Sequence, residues 1–359
     1  MGGTRNRRGA RQHVGEDDQK RRATVHDVAR EAGVSLATVD RVLNGRPGVR
    51  AATADKVGAA IKALDFRRDM SASLLARSRD LNVQFLIPEG GNEFMENLGA
   101  AIRRRGRAAR AERLRVETSL LRPLDAEGLA TALDGLSRKS CDCAVIVATE
   151  ADAVVRAVDA ATRRGIAVMT LVSDLPGSSR RHFIGIDNFA AGRTAAAMLG
   201  RFCPAGGKVG VIAGSLGLRD HTERLAGFRA VLASDFPDLE IIGPLEGHDV
   251  PAETRMLAGG LLVRPDLVGL YNLGAGNAGL LAALEASGRV GAVRVIAHEL
   301  TESSRHGLMS GAFDVVLDQK PDDEIGAALA AARALTQQPG APLDAVSIEI
   351  GIFLRDNLR

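Results

Sequence analysis

Residues 24–50 read TVHDVAREAGVSLATVDRVLNGRPGVR. Thr24 is a fitting N-cap, with Asp27 three positions on as a shorter form of the capping-box acid. Val25, Val28 and Ala29 fall on one helical face, and Gly33 stops the helix after Ala32. Val34 turns inward. Ser35 then caps a second helix, SLATVDRVLN, whose Val39, Val42 and Leu43 face a core. Leu36, Ala37, Asp40, Arg41 and Asn44 are left outside. A third helix follows, with Thr53 as its expected cap and Val57, Ile61 and Leu64 as its buried stripe. Two short helices joined by a glycine-bearing turn make a helix-turn-helix unit. Residues 23–68 are therefore expected to form a small all-α head.

The exposed side chains at the start of the second helix are small enough for close approach to base edges. Its N-terminus, with Ser35, offers backbone N–H groups to phosphate. Leu36 and Ala37 suit thymine methyls, and Arg41 suits the paired acceptors of guanine. Thr24, Ser35, Leu36, Ala37, Thr38, Arg41 and Asn44 are the candidates for contact with double-stranded DNA. The alternative is a three-helix packing module with no nucleic acid. Charge distribution favours DNA. Residues 1–80 carry 17 Lys and Arg against 10 Asp and Glu, whereas 81–359 carry 30 against 34. A basic head on a slightly acidic body fits a polyanion at the head alone.

Flanking the head, residues 1–22 are Gly/Arg-rich and aperiodic and read as a disordered basic tail. On the other side, RRDMSASLLARSRD (67–80) has a small apolar face of Ala72, Leu75 and Ala76. A helix this short is marginal alone in water. Residues 69–79 are expected to form a hinge helix that orders when DNA or a second copy packs on it, the alternative being a plain linker.

From Leu81 the pattern changes to apolar strands alternating with amphipathic helices. Ten strands are expected, at 83–87, 115–120, 143–148, 166–171, 182–186, 208–214, 239–245, 267–273, 293–300 and 314–319. This is the signature of parallel sheets covered on both faces. Ten strands suit two sheets better than one. The whole is then an α/β chain with a helix-turn-helix head and a two-lobed parallel-sheet body over 80–359. A lobe boundary is expected near the turn CPAGG (203–207).

Ligands of such sheets bind at the strands' carboxyl ends. Polar residues gather there: Asp187-Asn188, the GSLGLRDHTER segment, Asn272, His298-Glu299 and Asp318-Gln319. Asp187, Arg224, Asn272 and Glu299 have the donor and acceptor patterns that hold hydroxyls. Capping is the competing role, since Asp187 can cap the helix at 189–202 and Asn272 the one near 277.

Other classes find little support. Cys141, Cys143 and Cys203 form neither a disulfide framework nor a zinc set, and no metal or cofactor is expected. KVGVIAGSLG lacks the final Gly-Lys-Ser/Thr of a phosphate loop and the spacing of a dinucleotide fingerprint. His298 and Glu299 are adjacent on a strand and point opposite ways, which argues against an acid–base pair and against an enzyme. No apolar run is long enough for a membrane span. The N-terminus has no apolar signal region, so a cytoplasmic location is expected.

The head, TVHDVAREAGVSLATVDRVLNGRPGVR, with VGAAIKALDF and ASLLA beyond it, resembles the LacI/GalR family of bacterial transcription regulators. HFIGIDNFAAGRTAA, ERLAGF and DVVLDQKP resemble the periplasmic sugar-binding fold, so the body is expected to be periplasmic-binding-protein-like. The resemblance covers about residues 23–359. It implies a homodimer reading a near-palindromic operator, with recognition residues at Leu36, Ala37 and Arg41. It implies a minor-groove wedge at Leu75. It places effector contacts on Asp187, Arg224, Asn272, Glu299 and an aromatic, Phe94, with Gln319 near a crossover between lobes. Later crossovers are expected near 317–320 and 341–347.

Three departures stand out. Asp40 replaces the family's usual Ser, Arg68-Asp69 replaces Pro-Asn, and His298-Glu299 replaces Asp-Asp. No leucine heptads follow Leu354, so a dimer is expected and not a tail-built tetramer. Asp, Glu, Asn and Arg at the strand ends, with few rings in the chain, favour a sugar or polyol effector. The expected role is a repressor of carbohydrate or polyol genes released by an inducer. A corepressor-dependent regulator, or a small-molecule binder without DNA, are the alternatives.

Overall fold

The computed structural model describes residues 23–43, 48–64, 66, 80–337, 343 and 348–358. The expected tail at 1–22, the hinge helix at 69–79, Leu75 and Asn44 lie outside the described residues. The chain divides into two compact units, Met1–Arg79 and Asp80–Arg359.

In the first unit, α1 spans Val25–Ala32, α2 Leu36–Leu43 and α3 Ala51–Ala63. The capping box is complete: the Asp27 amide donates to Thr24 Oγ1, and the Thr24 amide to Asp27 Oδ2 at 2.8 Å. Gly33 closes α1 at φ 63°, a left-handed conformation that a side chain resists. Val28, Ala29, Val39, Val57, Ala60 and Phe66 form the core. One expectation fails here. Thr53 lies inside α3, which starts two residues earlier because the Arg50 carbonyl accepts from the Thr53 and Ala54 amides. Arg50 itself gives no side-chain cap.

The second unit holds two sheets. The first is formed by β1 (Leu81–Pro88), β2 (Leu114–Leu121), β3 (Cys143–Ile146), β4 (Ala167–Leu171) and β5 (His182–Ile184), in the order β2-β1-β3-β4-β5. All its pairings are parallel. Helices α4 (Glu93–Ala109), α5 (Ala126–Asp134) and α6 (Asp152–Arg163) cover it. The central strand β3 is buried throughout and reads as a continuous apolar run, whereas the edge strand β2 leaves Leu120 59% exposed.

The second sheet contains β6 (Gly207–Ala213), β7 (Leu239–Glu246), β8 (Leu267–Asn272), β9 (Arg294–His298), β10 (Val315–Asp318) and β11 (Gly351–Phe353). Its order is β11-β10-β9-β8-β6-β7, and β11 alone among these described strands runs antiparallel. Successive residues of β9 alternate between two cores. Ile296 packs with Leu199 and Phe228 from α7 (Asn188–Phe202) and α8 (Arg219–Asp235). Val295 and Ala297 pack with Leu261, Leu284 and Leu308 from α9 (Pro251–Leu262), α10 (Asn277–Ser287) and α11 (Glu302–Ser310).

The lobe boundary is not at CPAGG. Helix α7 already packs on the second sheet through Ala195, Ala196 and Leu199, so the chain changes lobes between Ile184 and Asn188. CPAGG only turns α7 into β6, with Gly206 and Gly207 at positive φ. The last helix, α12 (Pro321–Gln337), leaves β10 through Gln319-Lys320 and joins the first lobe's core with Ile325, Ala328, Ala332 and Leu335. Arg105 Nε on α4 donates to Asp322 at 2.9 Å, tying the start of α12 to that lobe. The chain then returns to β11. Within the expected crossover at 341–347 only Leu343 is described, and it packs on the first lobe's core.

Candidate functional site

On α2, Leu36, Ala37, Asp40 and Arg41 are exposed, while Val39 is fully buried. Leu36 is 42% exposed, a large apolar side chain left in water at a helix N-terminus. The Thr38 amide donates to Ser35 Oγ at 3.2 Å, and the two hydroxyls are 2.9 Å apart. Ser35 and Thr38 therefore hold the helix start, and Thr24 does the same for α1 by donating its hydroxyl to Asp27 at 2.7 Å. This leaves Leu36, Ala37, Asp40 and Arg41 as one outward face, made of an apolar contact, a small residue, a carboxylate and a planar donor fork.

In the body, two adjoining cavities open between the lobes at the strands' carboxyl ends. They share Asn92, Phe94, Ala275 and Glu299. One encloses about 260 Å³ and the other about 370 Å³, solvent mouths included. The first lobe contributes Phe94 from α4 and Val172-Ser173 beyond β4. The second contributes Asp220, His221 and Arg224 from α8, Glu299 beyond β9 and Gln319 beyond β10.

Arg224 is the organising side chain. It is 1% exposed. Its Nε donates to Asn188 Oδ1 at 2.9 Å, and Nη1 donates to the Leu273 carbonyl at 2.9 Å. Close helix packing makes this possible. A Cβ on Gly192 of α7 would lie 1.9 Å from the Arg224 carbonyl oxygen, and one on Gly227 of α8 would lie 2.1 Å from that of Phe189. Glycine at both contacts lets the two backbones touch, which brings Asn188 within reach of Arg224.

Glu299 stands 3.6 Å from Arg224 Nη1 and accepts from Gln319 Nε2 at 2.7 Å. Burial pushes its carboxyl up to about 8, against the pull of Arg224. Its backbone sits at φ 70°, and Val172 and Lys320, which also follow strands, sit at φ 67° and 55°. A β-branched residue such as Val172 in that region is strained by roughly 1–3 kcal/mol.

The walls contain polar atoms without partners. Asp220 Oδ1, Arg224 Nη2, Glu299 Oε2 and Gln319 Oε1 are buried and make no hydrogen bond. Native proteins satisfy nearly all buried polar groups. Several such atoms converging on one cavity point to a ligand that satisfies them.

The sequence-chosen residues divide. Phe94, Arg224, Glu299 and Gln319 line the cavity. Asp187 does not; it is exposed and caps α7, accepting from the Ala190 amide at 2.8 Å. Asn272 is buried and donates to Asn277 Oδ1 and to the Ala275 carbonyl, so it shapes the loop that faces the cavity, while its Oδ1 has no partner. Sequence reasoning missed Asn188, Asp220, His221 and Ser173. Asn188 adjoins Asp187, and Asp220-His221 lies in the segment GSLGLRDHTER, so strand-end position carried the signal and residue choice lost it.

His298 turns away from Glu299. Its Nε2 lies 2.8 Å from the Tyr271 hydroxyl, in a core where Tyr271 stacks on Phe228 at 4.5 Å. Burial holds its pKa well below the ordinary value. The two residues thus do not face a common substrate. Among the described residues no His, Cys, Asp and Glu group is arranged to hold a metal, and no helix is long and apolar enough to cross a membrane.

Comparison with known proteins agrees with this architecture. The family described as periplasmic binding protein domain matches residues 83–340, and that of bacterial regulatory proteins, lacI family, matches 24–69. The catabolite control protein A of Staphylococcus xylosus is 43% identical over 79 residues, which is 22% of this chain and 24% of that protein. That of Staphylococcus aureus strain Mu50 is 42% identical over the same length. The chain thus matches about a quarter of these relatives' length. Among solved structures, an ABC transporter solute-binding protein from Burkholderia graminis in complex with D-arabinose superimposes with a TM-score of 0.72. The two are 23% identical, over 78% of this chain and 97% of the other. One from Agrobacterium vitis bound with α-D-tagatopyranose gives 0.70 at 18% identity, over 77% and 96%. At these identities the likeness concerns the fold.

Proposed function

Because the chain belongs to the periplasmic binding protein domain family and carries a lacI-family DNA-binding domain at its head, we propose that it is a ligand-responsive, sequence-specific regulator of transcription. The carrying observation is the cavity in the body, walled by buried polar atoms without partners, in a chain whose head presents Leu36, Ala37 and Arg41 outward. A small molecule in the cavity draws on both lobes at once and so favours one arrangement of them. Such a molecule controls DNA binding only to the extent that it binds the DNA-competent and DNA-incompetent states unequally. About a 100-fold difference in affinity corresponds to roughly 2.7 kcal/mol.

In this reading the protein is a cytoplasmic homodimer that represses genes for carbohydrate or polyol use and leaves its operator when a sugar-like inducer binds. It is not an enzyme. Hydroxyl-rich ligands suit the donors and acceptors of Arg224, Glu299, Gln319 and Asp220, with Phe94 as an apolar wall. Solved relatives of the same fold hold sugars such as D-arabinose and tagatopyranose, which supports that ligand class.

The test is selection of bound duplexes from a random-sequence library, followed by anisotropy titration of the winning site. A site with two related half-sites is expected, and Arg41→Ala should weaken it by about 1–3 kcal/mol while relaxing the preference at one base pair. Absence of any enriched sequence would defeat the reading.

A further inference from the structure

The cavity walls are short of positive charge. Among the described lining residues Glu93, Asp220, Asp249 and Glu299 carry carboxyl groups, against one guanidinium, that of Arg224. Two further acids, Asp318 and Glu324, are buried beside them. Glu324 is fully buried with both carboxyl oxygens unpartnered. Arg224 offers a single positive charge to this set, 3.6 Å from Glu299, and its Nε and Nη1 hydrogen bonds go to the neutral Asn188 and the Leu273 carbonyl and not to an acid.

The unused hydrogen-bonding capacity leans the same way. Glu93 is occupied by the Ser303 amide at 3.1 Å, and Asp249 by the Ala275 amide at 2.7 Å. The cavity-lining atoms left over are three oxygens, Asp220 Oδ1, Glu299 Oε2 and Gln319 Oε1, and one donor nitrogen, Arg224 Nη2; all three oxygens accept once Glu299 has given up its proton. Each belongs to a side chain more than nine-tenths buried. A hydroxyl brings one donor with its acceptors, whereas an ammonium brings three donors, no acceptor and a positive charge. Burying acids without compensation is costly.

We propose that the ligand is an aminated sugar or polyol whose ammonium sits among Asp220, Glu299 and Gln319, with hydroxyls turned to Arg224. This rests on the reading of the cavity as the effector site. Binding then has a proton signature. With its carboxyl pushed up to about 8, Glu299 holds a proton at pH 7 in the empty cavity. An arriving ammonium displaces that proton to the buffer, and a neutral sugar leaves it in place. The groups that face Glu299 and set this balance are Arg224 and Asp220 on α8, Asp318 and Gln319 at the end of β10, and Glu324 on α12.

The test is titration calorimetry of the full chain with matched pairs: D-glucosamine and D-glucose, D-galactosamine and D-galactose, D-mannosamine and D-mannose. Each is run at pH 7 in two buffers of different ionisation enthalpy. One amine is expected to bind about tenfold or more tightly than its hydroxyl counterpart, as charge-assisted hydrogen bonds allow, with net proton release. Glu299→Gln should remove both the preference and the release; folding of the variant is checked by circular dichroism, and Asp220→Asn serves as a second variant. A neutral sugar binding as tightly as its amine overturns the inference and leaves the sugar-responsive reading standing. No binding by any member overturns both.

Discussion

At the residue scale, the site depends on buried charge held at one end of a sheet. Arg224→Ala removes the donor fork that Asn188, the Leu273 carbonyl and Glu299 share. Ligand-induced thermal stabilisation is expected to vanish, while Arg224→Lys, which keeps the charge but not the fork, retains folding and loses affinity. A thermal-shift titration of the three proteins distinguishes these outcomes. Buried acids also make stability depend on pH. The native pKa of Glu299 lies near 8 and that of Glu324 is raised well above the ordinary value. Protons held in the native state and absent from the unfolded one stabilise the fold, and this stabilisation is lost as pH rises through the native pKa. His298, depressed by burial, acts in the opposite sense, but only below the ordinary histidine value of about 6.5. The window from about pH 6.5 to about 8 is therefore one in which these acids act in one direction, and His248, raised by its hydrogen bond to Glu253, adds to it. The melting temperature is expected to fall across it, and Glu299→Gln should flatten the slope. A flat profile for the parent would contradict the burial argument.

At the element scale, the contact of α7 with α8 sets the site. Gly192→Ala puts a methyl into the Arg224 backbone. Separation of the helices should cost about 1–3 kcal/mol in denaturant unfolding and weaken ligand binding as Arg224 moves from Asn188. A variant with parental affinity would mean that Arg224 is positioned by something else. Much at this scale could be read from the sequence. Ten strands and their intervening helices follow from apolar runs and 3.6-residue periodicity, because in doubly covered sheets the pattern is set by burial alone. Strand β11 escaped because it is three residues long, lies at an edge, and leaves Ile352 40% exposed. The lobe boundary escaped because a Pro/Gly cluster signals a turn, and the true passage, Gly185 to Asp187, has no composition of its own. Phe94, Arg224, Glu299 and Gln319 were legible from strand ends and family resemblance. For Asp187 the sequence leaves ligand contact and capping open, since the same carboxylate that suits a hydroxyl also suits a helix N-terminus, and here it accepts from the Ala190 amide.

At the scale of the whole molecule, charge is divided between the parts. The first 80 residues have the excess of Lys and Arg, and the rest a slight excess of acids. DNA affinity is expected to fall steeply with salt, its logarithm declining linearly with the logarithm of salt concentration. Affinity for a small ligand in the buried cavity should change far less. Parallel titrations from 50 to 300 mM salt, on the order of the range where counterion release is measured, would show whether the two activities separate in this way.

The path of the chain has a consequence for its birth. The first lobe's core joins residues 83–184 to Ile325, Ala328, Ala332 and Leu335 on α12, and the whole second sheet up to β10 is encoded between them. On a ribosome, that lobe stays unfinished until its last helix emerges. At roughly 5–20 residues per second, its apolar strands wait on the order of ten seconds without their final cover. The head faces no such delay, as its described helices are contiguous in sequence. Nascent chains of this protein should therefore depend on chaperones during the second half of translation, and a premature stop before α12 should leave an aggregating product that still carries α1, α2 and α3 of the head.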